Sequence, residues 1–388
     1  MFLPLLRDGV DPLPELARVR SEQPVHELDV LGTTVWIVTR YDDARRVLGD
    51  STGFGNDFSY LAAAAGDALP DLPDPGGLGF RDPPEHTRLR KLMASAFTPR
   101  RLAALAPRIE QLVAEQLERM AEAGPPADLV AQFAGPIPGL VIGELLGVPS
   151  EERAEFARIS SHRFDLLESV LAPLESASQS QDYLVGLVAR QRDAPGDGLL
   201  GLLIAEHGDE LSDRDLAGLA DGLLVGGQET TVSMLALGSL VLLLDPVRAE
   251  GLRSGVLPAE SVVEELLRHL TVVQVAFPRF ARTDVVVGGQ QIPAGAPVVC
   301  SLVAANRDER LARDVDELDL SRAPTPHLAF GHGIHHCLGA SLARIELRAA
   351  YPALLRRFPD LRLAAGLDEL SFPELSLVYG VRELPVTW

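Results

Sequence analysis

Apolar residues recur at three- and four-residue intervals through most of the chain, and this periodicity predicts helices over residues 100–121, 150–171 and 342–357. The longest helical pattern begins at Ser212, whose side chain can cap while Asp215 completes a capping box, and it ends at Asp245 and Pro246. At 1.5 Å per residue it is about 50 Å long, enough to cross a whole molecule of this size. Its apolarity raises a transmembrane reading, but Asp221, Gln228, Glu229, Thr230 and Thr231 interrupt the run, and residues 235–244 are too few to span a bilayer. A buried central helix is the expectation. Strand-like alternation occupies residues 25–38, with a turn near Gly32, and residues 285–299, with turns at Gly288-Gly289 and Ala294-Gly295. A further pair of strands is predicted at residues 375–379 and 384–388. The Pro- and Gly-rich pieces at 69–79, 124–126 and 194–198 are short and read as surface loops. The sum is a mainly α protein with small peripheral β-sheets.

Composition narrows the classes. A chain of 388 residues exceeds the usual single core, so length alone suggests two or three domains. Two cysteines argue against a disulfide framework and fit a reducing cytosol. The segment Met1-Phe2-Leu3-Pro4-Leu5-Leu6-Arg7-Asp8 has neither a basic stretch nor a sustained apolar one, so no signal peptide or membrane anchor is expected. A net charge of −20 argues against nucleic acid or an anionic membrane as partner. Lys91 is the sole lysine, and nearly all positive charge is arginine.

Candidate chemistry centres on Phe330-Gly331-His332-Gly333-Ile334-His335-His336-Cys337-Leu338-Gly339. Its glycines permit positive φ and close approach of the backbone to a flat ligand. The following residues read as a helix, whose positive end favours thiolate over thiol. By itself Cys337 could be a buried structural cysteine. Zinc is a second alternative, because His327, His332, His335 and His336 crowd the segment, although Cys300 lies in an apolar strand-like run elsewhere.

Three further clusters carry possible chemistry. Gly226-Gly227-Gln228-Glu229-Thr230-Thr231 places small residues, an acid and a hydroxyl inside an apolar helix, at a cost unless something uses them. The two glycines weaken the helix by up to about 1 kcal/mol each relative to alanine and leave room for a planar or small ligand. Thr230 can back-bond to a carbonyl one turn earlier, or its hydroxyl can hold water. Glu265 and Arg268, at i and i+3, are in an unknown protein usually a surface pair. His86 and Arg90 are four apart and share a helix face.

With these residues in view, the chain resembles the cytochrome P450 monooxygenases in their soluble bacterial form. The pattern F-G-x-G-x-H-x-C-x-G is complete at Phe330, Gly331, Gly333, His335, Cys337 and Gly339. The resemblance implies haem b (iron protoporphyrin IX), with Cys337 as axial iron ligand and His335 on a propionate. It extends to Asp82-Pro83-Pro84-Glu85-His86, which implies that His86 and Arg90 bind propionate, and to Arg279 as a third contact. Glu229 and Thr230 match the family's oxygen-activation motif and imply proton delivery. Glu265 and Arg268 match its E-x-x-R element, which implies a structural lock with Arg322 behind the cysteine loop. Ala304-Ala305-Asn306-Arg307-Asp308 also fits, whereas the family's aromatic and proline positions are replaced in residues 311–318.

The resemblance spans the chain and implies one P450 domain over residues 1–388, monomeric and cytoplasmic. The implied reaction inserts one atom of O₂ into a small apolar organic substrate, by hydroxylation or epoxidation, in a secondary-metabolite tailoring step. Electrons from NAD(P)H would arrive through a ferredoxin and its reductase, docking on a basic patch drawn from Arg88, Lys91, Arg344 and Arg348. The substrate pocket is expected at residues 54–79, 161–185, 225–226 and 272–277. Oxidative coupling, peroxide-driven oxidation and a non-enzymatic haem or small-molecule binder stand as alternatives.

Overall fold

The alternation at residues 25–38 becomes an antiparallel pair, Val25–Val30 with Thr33–Val38, in the computed structural model, which describes residues 3–30, 33–60, 77–153, 155–156 and 172–388 (172–179 by their backbone). Contacts divide the chain into two units. The first comprises Met1–Lys91, Leu267–Leu318 and Thr325–Leu338. Its five-stranded sheet runs in the order Val25–Val30, Thr33–Val38, Pro297–Cys300, Arg279–Ala281, Phe54–Gly55. Pro297–Cys300 lies parallel to Thr33–Val38, with Val298 opposite Trp36, and antiparallel to Arg279–Ala281. Trp36, Val38, Val47, Phe54, Val298 and Leu328 pack beneath it as one apolar core. Cys300 belongs to that core, and burial pushes its thiol up to about 12. The predicted hairpin at 285–299 appears as Val285–Val287 paired with Gln290–Ile292, followed by Pro297–Cys300.

The second unit, Leu92–Leu266, Asp319–Pro324 and Gly339–Trp388, is helical. Pro99–Ala123 and Ala340–Arg357 occupy the positions predicted for 100–121 and 342–357. The long helix is Asp213–Leu243, about 46 Å at the standard rise. Ser212 accepts from the Asp215 backbone and Asp215 answers to the Ser212 backbone, the capping box read from sequence. The buried side chains of this helix include Leu216, Leu224, Met234, Leu237 and Leu240. No single helix among the described residues is long and apolar enough to cross a membrane.

Three expectations are corrected or left outside. Asp245 does not end the long helix, which stops at Leu243; it caps the next one, Pro246–Ser254, by accepting from the Val247 and Arg248 amides. Residues 375–379 form no continuous strand: burial alternates there, but pairing is confined to isolated bridges at Ser376 and Val378, and the Ser376 hydroxyl bonds the Val378 carbonyl at 2.8 Å. The partner segment is a strand, Pro385–Thr387, pairing with Arg362–Leu363 and Ala127–Asp128. The helix expected at 150–171 and the pocket segments 61–76 and 161–171 lie largely outside the described residues.

Candidate active site

The loop around Cys337 has the backbone its glycines require. Gly331 and Gly333 adopt φ of +68° and +74°, and a Cβ on Gly333 would run into the Leu48 carbonyl. The Cys337 amide donates to Phe330 O at 2.9 Å, so the loop closes on itself and its side chain is left exposed. His335, two residues before it, lies with its ring centroid 4.2 Å from that of His86, on the helix Glu85–Ala94. One turn further along that helix, Arg90 donates through Nη2 to His336 O at 2.6 Å.

Arg279 reaches the same place from the sheet. It is buried, and its Nη1 donates to Asn56 Oδ1 at 2.8 Å and Phe277 O at 3.0 Å. Neighbouring Arg282 is instead taken by Asp82 Oδ2 at 2.6 Å, which separates the two arginines. Burial, reinforced by the charges of Arg279, His86 and Arg90, pushes the His335 imidazole down to about 3. Burial and Arg90 also lower His86. Both ring nitrogens of His86 and Nε2 of His335 are buried without a hydrogen-bond partner among the described residues. Asp82, whose charge reaches His86 and Arg279, is engaged by Arg282 and by the Asn56 amide at 2.9 Å. Two guanidinium groups and two unsatisfied imidazoles thus converge, an arrangement suited to an anionic ligand such as carboxylates.

Among the described residues no group of three or more His, Cys, Asp or Glu is placed to hold a metal ion. Cys337 is exposed rather than a buried structural cysteine.

In the second unit, Thr230 back-bonds: its Oγ1 donates to Gly226 O at 2.7 Å. A Cβ added to Gly226 would meet nothing within 4 Å among the described residues, whereas one on Gly227 would meet Ile142 Cδ1 at 2.7 Å. Among the described residues, then, Gly226 leaves open space beside the helix and Gly227 serves close packing. Glu229 and Thr230 are partly exposed beside that opening.

Glu265 and Arg268 are buried, not a surface pair, and they face different partners. Glu265 Oε1 accepts from Arg322 Nε and from the Asp319 amide, each at 3.1 Å. Arg268 donates to the carbonyls of Asn306, Val315 and Glu317 at 2.9, 2.8 and 3.3 Å. Those bonds pin the segment in which the family's aromatic and proline positions are replaced. Glu265→Ala removes the buried anion facing Arg322, and we expect urea unfolding to show a loss of about 3–5 kcal/mol. A loss below about 1 kcal/mol, the size of a surface pair, would contradict this role.

Sequence reasoning missed Asn56 and Asp82 as supports of the arginines. Asn56 is buried in an otherwise loop-like stretch, a signal that only burial reveals.

Comparisons with known proteins show the family. The family model described as "Cytochrome P450" matches residues 257–369. "Cytochrome P450 165B3" of Amycolatopsis orientalis is 40% identical, over 100% of this chain and 98% of its own length. The chain belongs to the cytochrome P450 family. A second relative, the "Mycinamicin IV hydroxylase/epoxidase" of Micromonospora griseorubida, is 42% identical to this P450 over 92% of this chain and 90% of its own. Among solved structures, OxyC, a cytochrome P450 "implicated in an oxidative C-C coupling reaction during vancomycin biosynthesis", has a TM-score of 0.88 at 39% identity, covering 99% of this chain and 96% of that one. The fold is thus the P450 fold, and the protein is a P450 monooxygenase whose cofactor is haem. It uses a small organic substrate, O₂ and redox partners.

Proposed function

We propose that this P450 inserts one oxygen atom into a small, largely apolar secondary metabolite, with residues 1–388 working as one domain. The observation that carries the site assignment is the convergence of His86, Arg90, Arg279 and His335 beside an exposed Cys337. In this reading the four basic side chains hold the haem propionates and Cys337 ligates the iron. When bound, haem supplies the redox centre that activates O₂, and thiolate ligation favours O–O cleavage.

The chain's own residues then manage protons and position. The Thr230 hydroxyl donates its hydrogen bond to Gly226 O, which leaves its oxygen lone pairs to accept from a water or other donor in the space beside Gly226. Glu229, next in the chain, supplies or recovers a proton at that donor. Glu265, Arg322 and Arg268 brace the segments around the cysteine loop. Electrons come from a ferredoxin-type donor, and the enzyme acts as a cytoplasmic monomer. Of the expected docking residues, Arg88 pairs with Glu85 at 2.8 Å, while Arg344 and Arg348 share Glu264 at 2.6 and 3.7 Å. Two guanidinium groups against one carboxylate make a modest steering feature on an acidic protein.

The likeness to OxyC favours a second reading, oxidative coupling, which removes two hydrogens and adds no oxygen. Turnover with ferredoxin, reductase, NAD(P)H and ¹⁸O₂ separates the two on candidate metabolites selected by low- to high-spin shifts. Oxygen insertion predicts a product carrying one labelled atom, with the other oxygen recovered in water. An unlabelled product lacking two hydrogens would replace insertion by coupling.

A further inference from the structure

The helix Ala259–Leu270 is followed by Thr271 at φ +41°, a backbone that β-branched residues rarely adopt. Such a conformation persists only where its surroundings over-determine it. Thr271 is buried, and three groups hold it. Its Oγ1 donates to Arg268 O at 2.6 Å and accepts from Asn306 Nδ2 at 2.9 Å, while its carbonyl accepts from Arg7 Nη2 at 2.9 Å.

Arg7 lies on the N-terminal hairpin, Arg7–Asp8 paired with Asp11–Pro12. The same guanidinium donates through Nε to Gln274 Oε1 at 2.8 Å and through Nη1 to Val10 O at 3.0 Å. Gln274, fully buried, returns a bond from Nε2 to Leu5 O at 3.2 Å. A second bolt joins buried Arg307 Nη2 to Asp11 at 2.8 Å. Beyond the turn, residues 272–277 run along the sheet, with the Ala276 amide on Cys300 O at 3.0 Å. They end at half-exposed Phe277, whose ring meets Phe80 edge-on at 4.9 Å, two residues before Arg279.

We propose that the N-terminal hairpin is a positioning strap: through Arg7 and Gln274 it fixes the left-handed turn at Thr271 and so sets the pocket wall formed by residues 272–277. A planar guanidinium bonding in three directions suits this task, and an ammonium reproduces it only in part. The proposal rests on the reading of residues 272–277 as pocket wall.

The test compares the holoenzyme with R7M and R7K, titrating imidazole and 4-phenylimidazole by the haem absorption shift. Both probes ligate iron, but only the second adds a ring that must fit against the wall. In R7M the Kd of 4-phenylimidazole should rise about tenfold, as for one lost charged hydrogen bond, with imidazole changed less than about twofold. R7K should recover part of the difference. Equal affinities for both probes, or a parallel loss of both, would overturn the strap. Should R7M not assemble, amide exchange on the unmutated holoenzyme decides: residues 272–277 exchanging together with the hairpin supports it, and a protected 272–277 beside a freely exchanging hairpin refutes it. Failure of the haem assignment would show separately, as an unmutated protein lacking the haem-thiolate carbon monoxide band.

Discussion

Cys337→Ser should yield a folded protein that has lost both the haem-thiolate spectrum and monooxygenase activity. The fold does not depend on the sulfur: Cys337 is exposed, and the loop is closed by its backbone amide on Phe330 O and by Gly331 and Gly333 in left-handed conformations. None of these needs a thiol. What serine removes is the soft, anionic donor, since a hydroxyl is not ionised at neutral pH and pushes less electron density onto a metal. Circular dichroism should therefore match the parent while turnover falls to background. Turnover at the parental rate would show that another residue ligates the iron.

Thr230→Ala should separate electron consumption from product. The substitution deletes the hydroxyl that donates to Gly226 O, leaving the helix intact because its own backbone bonds remain. A water in the space beside Gly226 then loses a fixed partner, and proton delivery becomes unselective. The expected result is haem content and spectrum like the parent, with product per NAD(P)H reduced roughly 10²-fold, the low end of what positioned proton transfer contributes, because the donor loses the hydroxyl that holds it. Peroxide should appear in place of product. Unchanged coupling between NAD(P)H and product would remove Thr230 from the proton path. A structural threonine, by contrast, would lower thermal stability and leave that ratio alone.

Much of the architecture was legible because it is written in local rules. The Ser212–Asp215 capping box, the periodicity of Pro99–Ala123 and Ala340–Arg357, and the alternation of Val25–Val38 each depend on residues within a few positions of one another. The strand expected at 375–379 shows where that logic fails. Alternating burial was present, but pairing there is limited to isolated bridges at Ser376 and Val378, too short a ladder to make a strand. The same limit governed the site. His86, Arg90, His335 and Cys337 stood out by type and spacing, and Arg279 only through the family resemblance. Asn56 did not, since it meets Arg279 across 223 positions and no local pattern announces it. Arg268 and Glu265 were visible as a pair, yet their separate partners, three carbonyls and a distant arginine, could be read only from tertiary packing.

The opening of the long helix was half legible. Two adjacent glycines suggested room for a ligand, and the packing of Ile142 against Gly227 reveals that, among the described residues, the open space lies at Gly226. A Gly–Gly pair states that side chains are absent, not which side is empty.

The central claim is that Cys337 delivers a thiolate to haem iron held by His86, Arg90, Arg279 and His335. The most direct measurement is the absorption spectrum of the reduced protein with carbon monoxide. A strongly red-shifted Soret band, lost in Cys337→Ser, is the predicted result; a band at the position given by a neutral axial ligand in the unmutated protein would contradict it.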